Sequence, residues 1–317
     1  MKLIKLLLSV FVLLNGDVLA SPQQNNMAQI FSTGVLLSDS DAISFGVANF
    51  DPKTLLQKHP SEISDSIQLR NQLAVTNLPF NFEVAGKKGV FSDKLFFNLS
   101  YVVQKQSTSE PEDDYNKDII YGFYSAYKRD WILDKSWKLS TGIGQYLMHY
   151  ENKHNYHNVF SSGLQQQLDG QYFNINSNAY ILEPSLGIKY TQQKQSWGYW
   201  SYKSKFNYFY GWTFSGNTAT RGANPQSWKF ANTLKTHLHL FSNTQQLESL
   251  YIKAERVDIG GDLPASLGTD YYYEFGLGLL MKFKAWPDFI KNVGIGVNVN
   301  LGSSLEGGSL VLYFNEV

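Results

Sequence analysis

An all-β fold, a transmembrane antiparallel β-barrel of about twelve strands, is what the sequence predicts. Three observations predict it. Apolar and polar residues alternate in one segment after another, the period of strands whose two faces meet different surroundings. Aromatic residues are abundant, with 7 Trp, 20 Tyr and 21 Phe, yet mean hydropathy stays modest. A barrel strand is apolar only at every second position, which produces that combination. Finally, the connections between alternating segments run long and short in turn.

The chain starts with a targeting pattern. Lys2 and Lys5 precede an apolar run from Leu6 to Leu14, and Val18-Leu19-Ala20 offers a small-residue cleavage site before Ser21. Residues 1–20 read as a Sec signal peptide cleaved after Ala20. Residues 21–28 read as a short polar tail and residues 29–317 as the barrel domain. Beyond the signal there is no apolar run of ~18 residues that would make a spanning helix. The chain has 0 cysteines, so closure must come from strand pairing and packing. It has 27 basic and 27 acidic residues, a balance that argues against a nucleic-acid partner.

Residues 30–50 (IFSTGVLLSDSDAISFGVANF) are read as the first crossing. Asp39 and Asp41 weaken the local pattern, but an even strand count requires one strand before Ile67. In residues 67–84, Leu73 and Val75 hold one phase and Phe80, Phe82 and Val84 the other. That change at Pro79 predicts a bulge. Strands then follow over 91–105, 117–133, 136–150 and 172–192. The clearest is 196–215, where Trp200, Tyr202, Phe206, Tyr208, Tyr210 and Trp212 alternate with Ser201, Lys203, Lys205 and Asn207. Residues 227–242, 248–257 and 269–285 continue the pattern, and Lys291 to Phe314 supplies two last strands. The expected long loops are 51–66, 106–116, 151–171, 216–226, 258–268 and 302–308. The expected short turns are 85–90, 134–135, 193–195, 243–247 and 286–290. Long loops belong outside the cell and short turns in the periplasm. Trp131, Trp137, Trp197, Trp212 and Trp228 near strand ends fit interfacial girdles.

The inward phase carries Arg70, Lys128, Glu183, Lys189, Lys203, Lys205, Lys235, His237, His239, Lys253, Glu255, Glu274 and Lys282. This set is either a weakly anion-preferring pore lining or a paired network filling a narrow barrel. His149, His154 and His157 beside Glu151 lack the fixed spacing of a metal site and read as a solvated loop, as does the acidic stretch Glu110, Glu112, Asp113 and Asp114. A barrel hydrolase needs a His and a Ser two apart on one strand, so that both share a face. The one such pair, His59 and Ser61, brackets Pro60 in an expected loop. No catalytic, cofactor or metal site is expected.

Three stretches carry a resemblance: Leu37-Ser38-Asp39-Ser40-Asp41-Ala42-Ile43-Ser44-Phe45-Gly46 with Phe50-Asp51-Pro52, Arg256-Val257-Asp258-Ile259-Gly260-Gly261-Asp262-Leu263, and Gly307-Gly308-Ser309-Leu310-Val311-Leu312-Tyr313-Phe314-Asn315. Together they resemble the solitary outer-membrane autotransporter β-barrel family. The resemblance implies a twelve-stranded, translocator-like barrel of a Gram-negative outer membrane. Its partners would be outer-membrane lipid and lipopolysaccharide, with the Sec translocon and barrel-assembly machinery during biogenesis. Few residues precede the first strand and no pore helix is visible, so the expected form is a translocator without a passenger domain, non-enzymatic, with a structural or transport role. A small porin-like channel and a barrel hydrolase are the alternatives. Leu310, Leu312 and Phe314 resemble the terminal-strand signal that the assembly machinery reads, followed here by three more residues. Phe314→Ala is expected to impair assembly more than removal of residues 315–317.

Overall fold

The computed structural model describes residues 20–39, 49–50, 73–107, 114–157, 159–194, 197–242, 246–283, 285, 292–302, 307–314 and 316. Its strands, in chain order, are β1 (Asn49–Phe50), β2 (Leu73–Lys87), β3 (Phe91–Ser107), β4 (Tyr115–Ile132), β5 (Trp137–Asn155), β6 (Asn176–Lys194), β7 (Gly198–Gly216), β8 (Gln226–Ser242), β9 (Gln246–Gly261), β10 (Tyr271–Phe283), β11 (Val293–Leu301) and β12 (Gly307–Phe314). They form one twelve-stranded sheet. From β2 to β12 every strand pairs antiparallel with its neighbour in sequence, and β12 pairs in turn with β1 through Ser309 to Asn49 and Gly308 to Phe50. That last ladder joins the two ends of the chain, which is how an up-and-down barrel closes. Among the described residues no ladder joins β1 to β2.

The alternation seen in the sequence is the wall's two-sidedness. On β7, Ser201, Asn207, Phe209, Gly211 and Thr213 are buried, while Tyr202, Phe206, Trp212 and Phe214 between them are exposed. On β10, Phe275, Leu277, Leu279 and Met281 are exposed in the same way. Large apolar side chains exposed at every second position around a sheet are the lipid face of a membrane barrel. Trp131, Trp137 and Trp200 stand toward the short-turn end, and Trp212 and Trp228 toward the long-loop end. Trp137 packs on Tyr190, which packs on Trp200, with ring centroids 4.9 and 5.3 Å apart.

Three expectations are corrected. First, residues 22–38 are helical. Helix α1 (Pro22–Ser38) replaces the expected free tail and the first half of the expected strand over 30–50. Ser21 is its N-cap and Gln24 completes a capping box, with Pro22 in the first turn. The β-like residues Thr33 and Val35 become helical because the segment lies inside the wall. No strand is there to pair with it, so its backbone must satisfy itself. Second, β2 pairs without interruption through Pro79, and the register shifts between Glu83 and Ala85. Leu73 and Val75 are apolar because they pack on the α1 cluster, whereas Phe80, Phe82 and Val84 are exposed. Third, β5 extends to Asn155, so Glu151 and His154, expected in the loop 151–171, lie on the same strand as His149. The connection after it holds helix α2 (Val159–Leu168). The expected turn 286–290 and most of the expected loop 302–308 lie outside the described residues. The expected pair His59 and Ser61, Arg70 and the acidic residues Glu110, Glu112 and Asp113 lie outside the described residues.

Candidate functional site

The largest feature not explained by the wall itself is α1 inside it. Met27, Phe31 and Val35, four residues apart, form one stripe with exposures of 1, 0 and 1 %. They join a cluster with Val102, Ile120, Met148 and Tyr150 of β3, β4 and β5, and with Val257 and Ile259 of β9. Phe31 meets Tyr150 edge-on at 6.4 Å. Gly34 lets the helix approach the wall, because a Cβ there would come 2.9 Å from Met148 Cε and 3.1 Å from Ile120 Cδ1. The helix is enclosed on several sides, so Ala28, Ser32 and Ser38 are buried as well.

Both ends of α1 are tied to the wall. At the long-loop mouth, Gln24 Nε2 donates to the Arg221 carbonyl at 2.6 Å, beside the 3-10 turn Thr218–Thr220. There Ser32 Oγ donates to Asp262 Oδ2 at 3.3 Å, and the Gln226 backbone N–H donates to that same oxygen at 2.7 Å. Burial pushes the Asp262 carboxyl above its usual range, against the pull of those two donors. Helix α3 (Leu263–Leu267) follows it and buries Leu263 and Leu267 against α1. At the inner end, mid-wall side chains take over the last carbonyls of α1. Asn77 Nδ2 donates to Leu37 O at 3.0 Å and Asn98 Nδ2 to Ser38 O at 2.6 Å. Ser38 Oγ reaches Ser100 Oγ at 2.8 Å. Asp39, just beyond, forms an ion pair with Lys229 of β8. The helix therefore runs from the long-loop mouth to about half the depth of the wall.

Below and beside it lie the charged residues anticipated from the sequence. Glu183 is 1 % exposed and accepts from Tyr124 Oη at 2.9 Å, Asn207 Nδ2 at 2.9 Å and Tyr146 Oη at 3.4 Å. Glu274 accepts from Lys253 Nζ at 2.9 Å and Asn298 Nδ2 at 3.1 Å. Lys253 also lies 3.4 Å from Glu255. Lys235 pairs with Glu316, whose backbone N–H and C=O are both bound by the Asn292 amide at 2.9 and 2.7 Å. His237 is buried, stacked on Tyr199 at 4.4 Å with Tyr251 at 5.3 Å. Lys189, Lys203 and Lys205 are half-buried, and His239 and Lys282 are exposed. Leu310 and Leu312 are exposed on β12, and Phe314 pairs in register with Val293. Sequence reasoning missed Asp39 with Lys229, and Asn77 and Asn98 with the last carbonyls of α1, because each pairing spans distant parts of the chain. The one local signal available was the capping box at Ser21 and Gln24. His154 stacks on Phe173 at 3.9 Å and lies 3.7 Å from Asp114, a loop-packing contact rather than a ligand set.

The transport unit of the autotransporter AIDA-I from Escherichia coli superposes with a TM-score of 0.49 at 12 % identity, covering 93 % of this chain and 100 % of that one. The beta domain of the Bordetella autotransporter BrkA gives 0.47 at 12 % identity, over 78 and 91 %. LpxR from Salmonella typhimurium gives 0.39 at 9 % identity, over 77 and 90 %. No curated protein matches the chain in sequence. Membership rests instead on the family described as the solitary outer membrane autotransporter beta-barrel domain, which matches residues 28–316. The chain belongs to that family, and is an autotransporter-like β-barrel of the Gram-negative outer membrane.

Proposed function

We propose that this protein is a translocator-type barrel held shut by its own helix α1, with a structural or transport role and no catalytic one. The observation that carries the reading is the burial of Met27, Phe31 and Val35 against the wall, with the helix tied at both ends. In this reading a Sec signal peptide cleaved after Ala20 exports the chain, and the barrel-assembly machinery reads Leu310, Leu312 and Phe314 on the closing strand. Lipid and lipopolysaccharide surround the exposed apolar band.

Refolded protein of residues 21–317 tests the reading in planar bilayers. The expected result is little conductance from the intact barrel and a marked rise when residues 21–38 are deleted. Large, steady conductance from the intact chain would overturn the closed reading. It would favour the anion-preferring channel, which the lysines of β6 and β7 support and which a reversal-potential measurement under a salt gradient would reveal.

A further inference from the structure

Helix α1 turns two faces toward the wall. Met27, Phe31 and Val35 pack on it closely. A second stripe, Asn26, Ile30, Thr33 and Leu37, also keeps the spacing of one helical face, and it borders a cavity of about 260 Å³. Across the cavity, Leu73, Val102 and Ile120 of β2, β3 and β4 and Leu267 of α3 supply apolar walls. Gln29, Gln104, Asp118, Tyr150 and Ser266 add polar groups. Asn26 is exposed, and Gln104 and Asp118 lie toward the long-loop ends of β3 and β4. The cavity is therefore reached from the long-loop mouth. Apolar walls with a few convergent polar groups are the ordinary make-up of a small-molecule site, whose size starts near ~300 Å³. An apolar cavity of about 150 Å³ is enough to hold benzene.

Two polar groups indicate what the cavity takes. Thr33 Oγ1 is buried and has no hydrogen-bond partner among the described residues. A buried hydroxyl left so costs free energy, which a ligand that bonds to it would recover. Asp118 Oδ1 accepts from Tyr150 Oη at 2.6 Å and from Asn152 Nδ2 at 2.8 Å, and Oδ2 accepts from Asn116 Nδ2 at 3.2 Å. Those donors are all neutral. A carboxylate offers about four lone-pair sites, so acceptor capacity remains on Oδ2. None of the described residues lining the cavity is a lysine or an arginine. The charge of the lining thus favours a positive head and repels an anion.

We propose that this cavity is a binding site for a small organic ammonium ion with a ring-sized apolar body, taken up from the long-loop side. The body lies among Ile30, Leu37, Val102 and Ile120, and the ammonium donates to Asp118 in a charge-assisted bond. A ligand held by helix and wall together binds the docked helix alone, so it stabilises docking by mass action. The site rests on the plugged reading, since five of its lining residues belong to α1.

The test is calorimetric titration of benzylamine, benzyl alcohol and benzoate into refolded residues 21–317 in neutral detergent at neutral pH. The three probes share a ring and differ in the head, which is cationic, neutral or anionic. Saturable binding is expected for benzylamine, weaker binding for benzyl alcohol and none for benzoate. Asp118→Asn should weaken benzylamine about tenfold and leave benzyl alcohol within about twofold. Thr33→Leu fills the cavity from a position outside every strand ladder, and it should abolish binding of both. Absence of saturable benzylamine binding to a folded barrel, identified by the compact band that shifts on heating in gel electrophoresis, would overturn the site. So would equal binding by the Thr33→Leu protein, which is the outcome that partition into detergent gives, or benzoate bound as tightly as benzylamine. Failure of the plugged reading shows differently, as large, steady conductance from the intact chain.

Discussion

Phe31→Ala should release the helix without unfolding the wall. Phe31 is 0 % exposed, and its ring lies edge-on to Tyr150 at 6.4 Å. Truncating a fully packed Phe costs about 3–5 kcal/mol, the transfer loss plus the cavity left behind. The strand ladders contain no residue of α1, so the cost falls on docking of the helix. Each ~1.4 kcal/mol is a factor of ten, so the undocked population should rise on the order of 10²- to 10³-fold. The chain has 0 cysteines, so Ser32→Cys places a unique thiol at a position that is 0 % exposed. Labelling by a membrane-impermeant maleimide then reports opening. It should be slow in the Ser32→Cys protein and faster by about that factor when Phe31→Ala is added. Rates within twofold of each other, in proteins that both keep the compact heat-sensitive band, would refute the docking argument.

Glu183→Leu should destabilise the barrel by about 3 kcal/mol or more, since it strands the Tyr124, Asn207 and Tyr146 donors at roughly 1–3 kcal/mol each. Glu183→Gln should cost less, and thermal unfolding followed by gel shift separates the two. Gly144→Val should weaken the same network, because a Cβ at position 144 would land on the Tyr124 ring; loss of Tyr124 ordering is read by the same unfolding series. Glu316→Ala leaves Lys235 without its carboxylate in a half-buried position, at a cost of up to about 3–5 kcal/mol. Removal of residues 315–317 should therefore lower the unfolding temperature even though Phe314→Ala remains the larger assembly defect, measured as the folded fraction in membranes. Asp262 gives the pH dependence. Its carboxyl is raised by burial, so its contribution to docking is fully present below the ordinary value near 3.8 and is lost as pH rises through the raised one. Maleimide labelling of an Ala28→Cys protein, which keeps Ser32 and reports from another buried position of the helix, should quicken over that window, and Asp262→Asn should flatten the change.

The wall was legible because a barrel imposes period-two alternation on every strand, and β7 writes it with Trp200, Tyr202 and Phe206 against Ser201, Lys203 and Lys205. The same pattern grouped the charged residues by phase. It did not show what they touch, because Lys235 meets Glu316 and Lys229 meets Asp39 across most of the chain. Helix α1 was hidden for a different reason. Its apolar residues Ile30, Phe31, Val35, Leu36 and Leu37 pack on more than one side, so the segment shows no clean helical period and reads as a strand. The Pro79 expectation failed because Leu73 and Val75 are apolar toward the helix rather than toward lipid.

The helix bound inside the wall also constrains the order in which the molecule can be made. α1 precedes every strand in the chain, yet its packing partners Val102, Ile120, Met148, Tyr150, Val257 and Ile259 come from β3, β4, β5 and β9, which all follow it. The helix therefore has no complete docking surface until those strands have paired. Docking of the helix and completion of the wall beside it become one cooperative step. A chain without α1 would then assemble more slowly as well as conduct more readily.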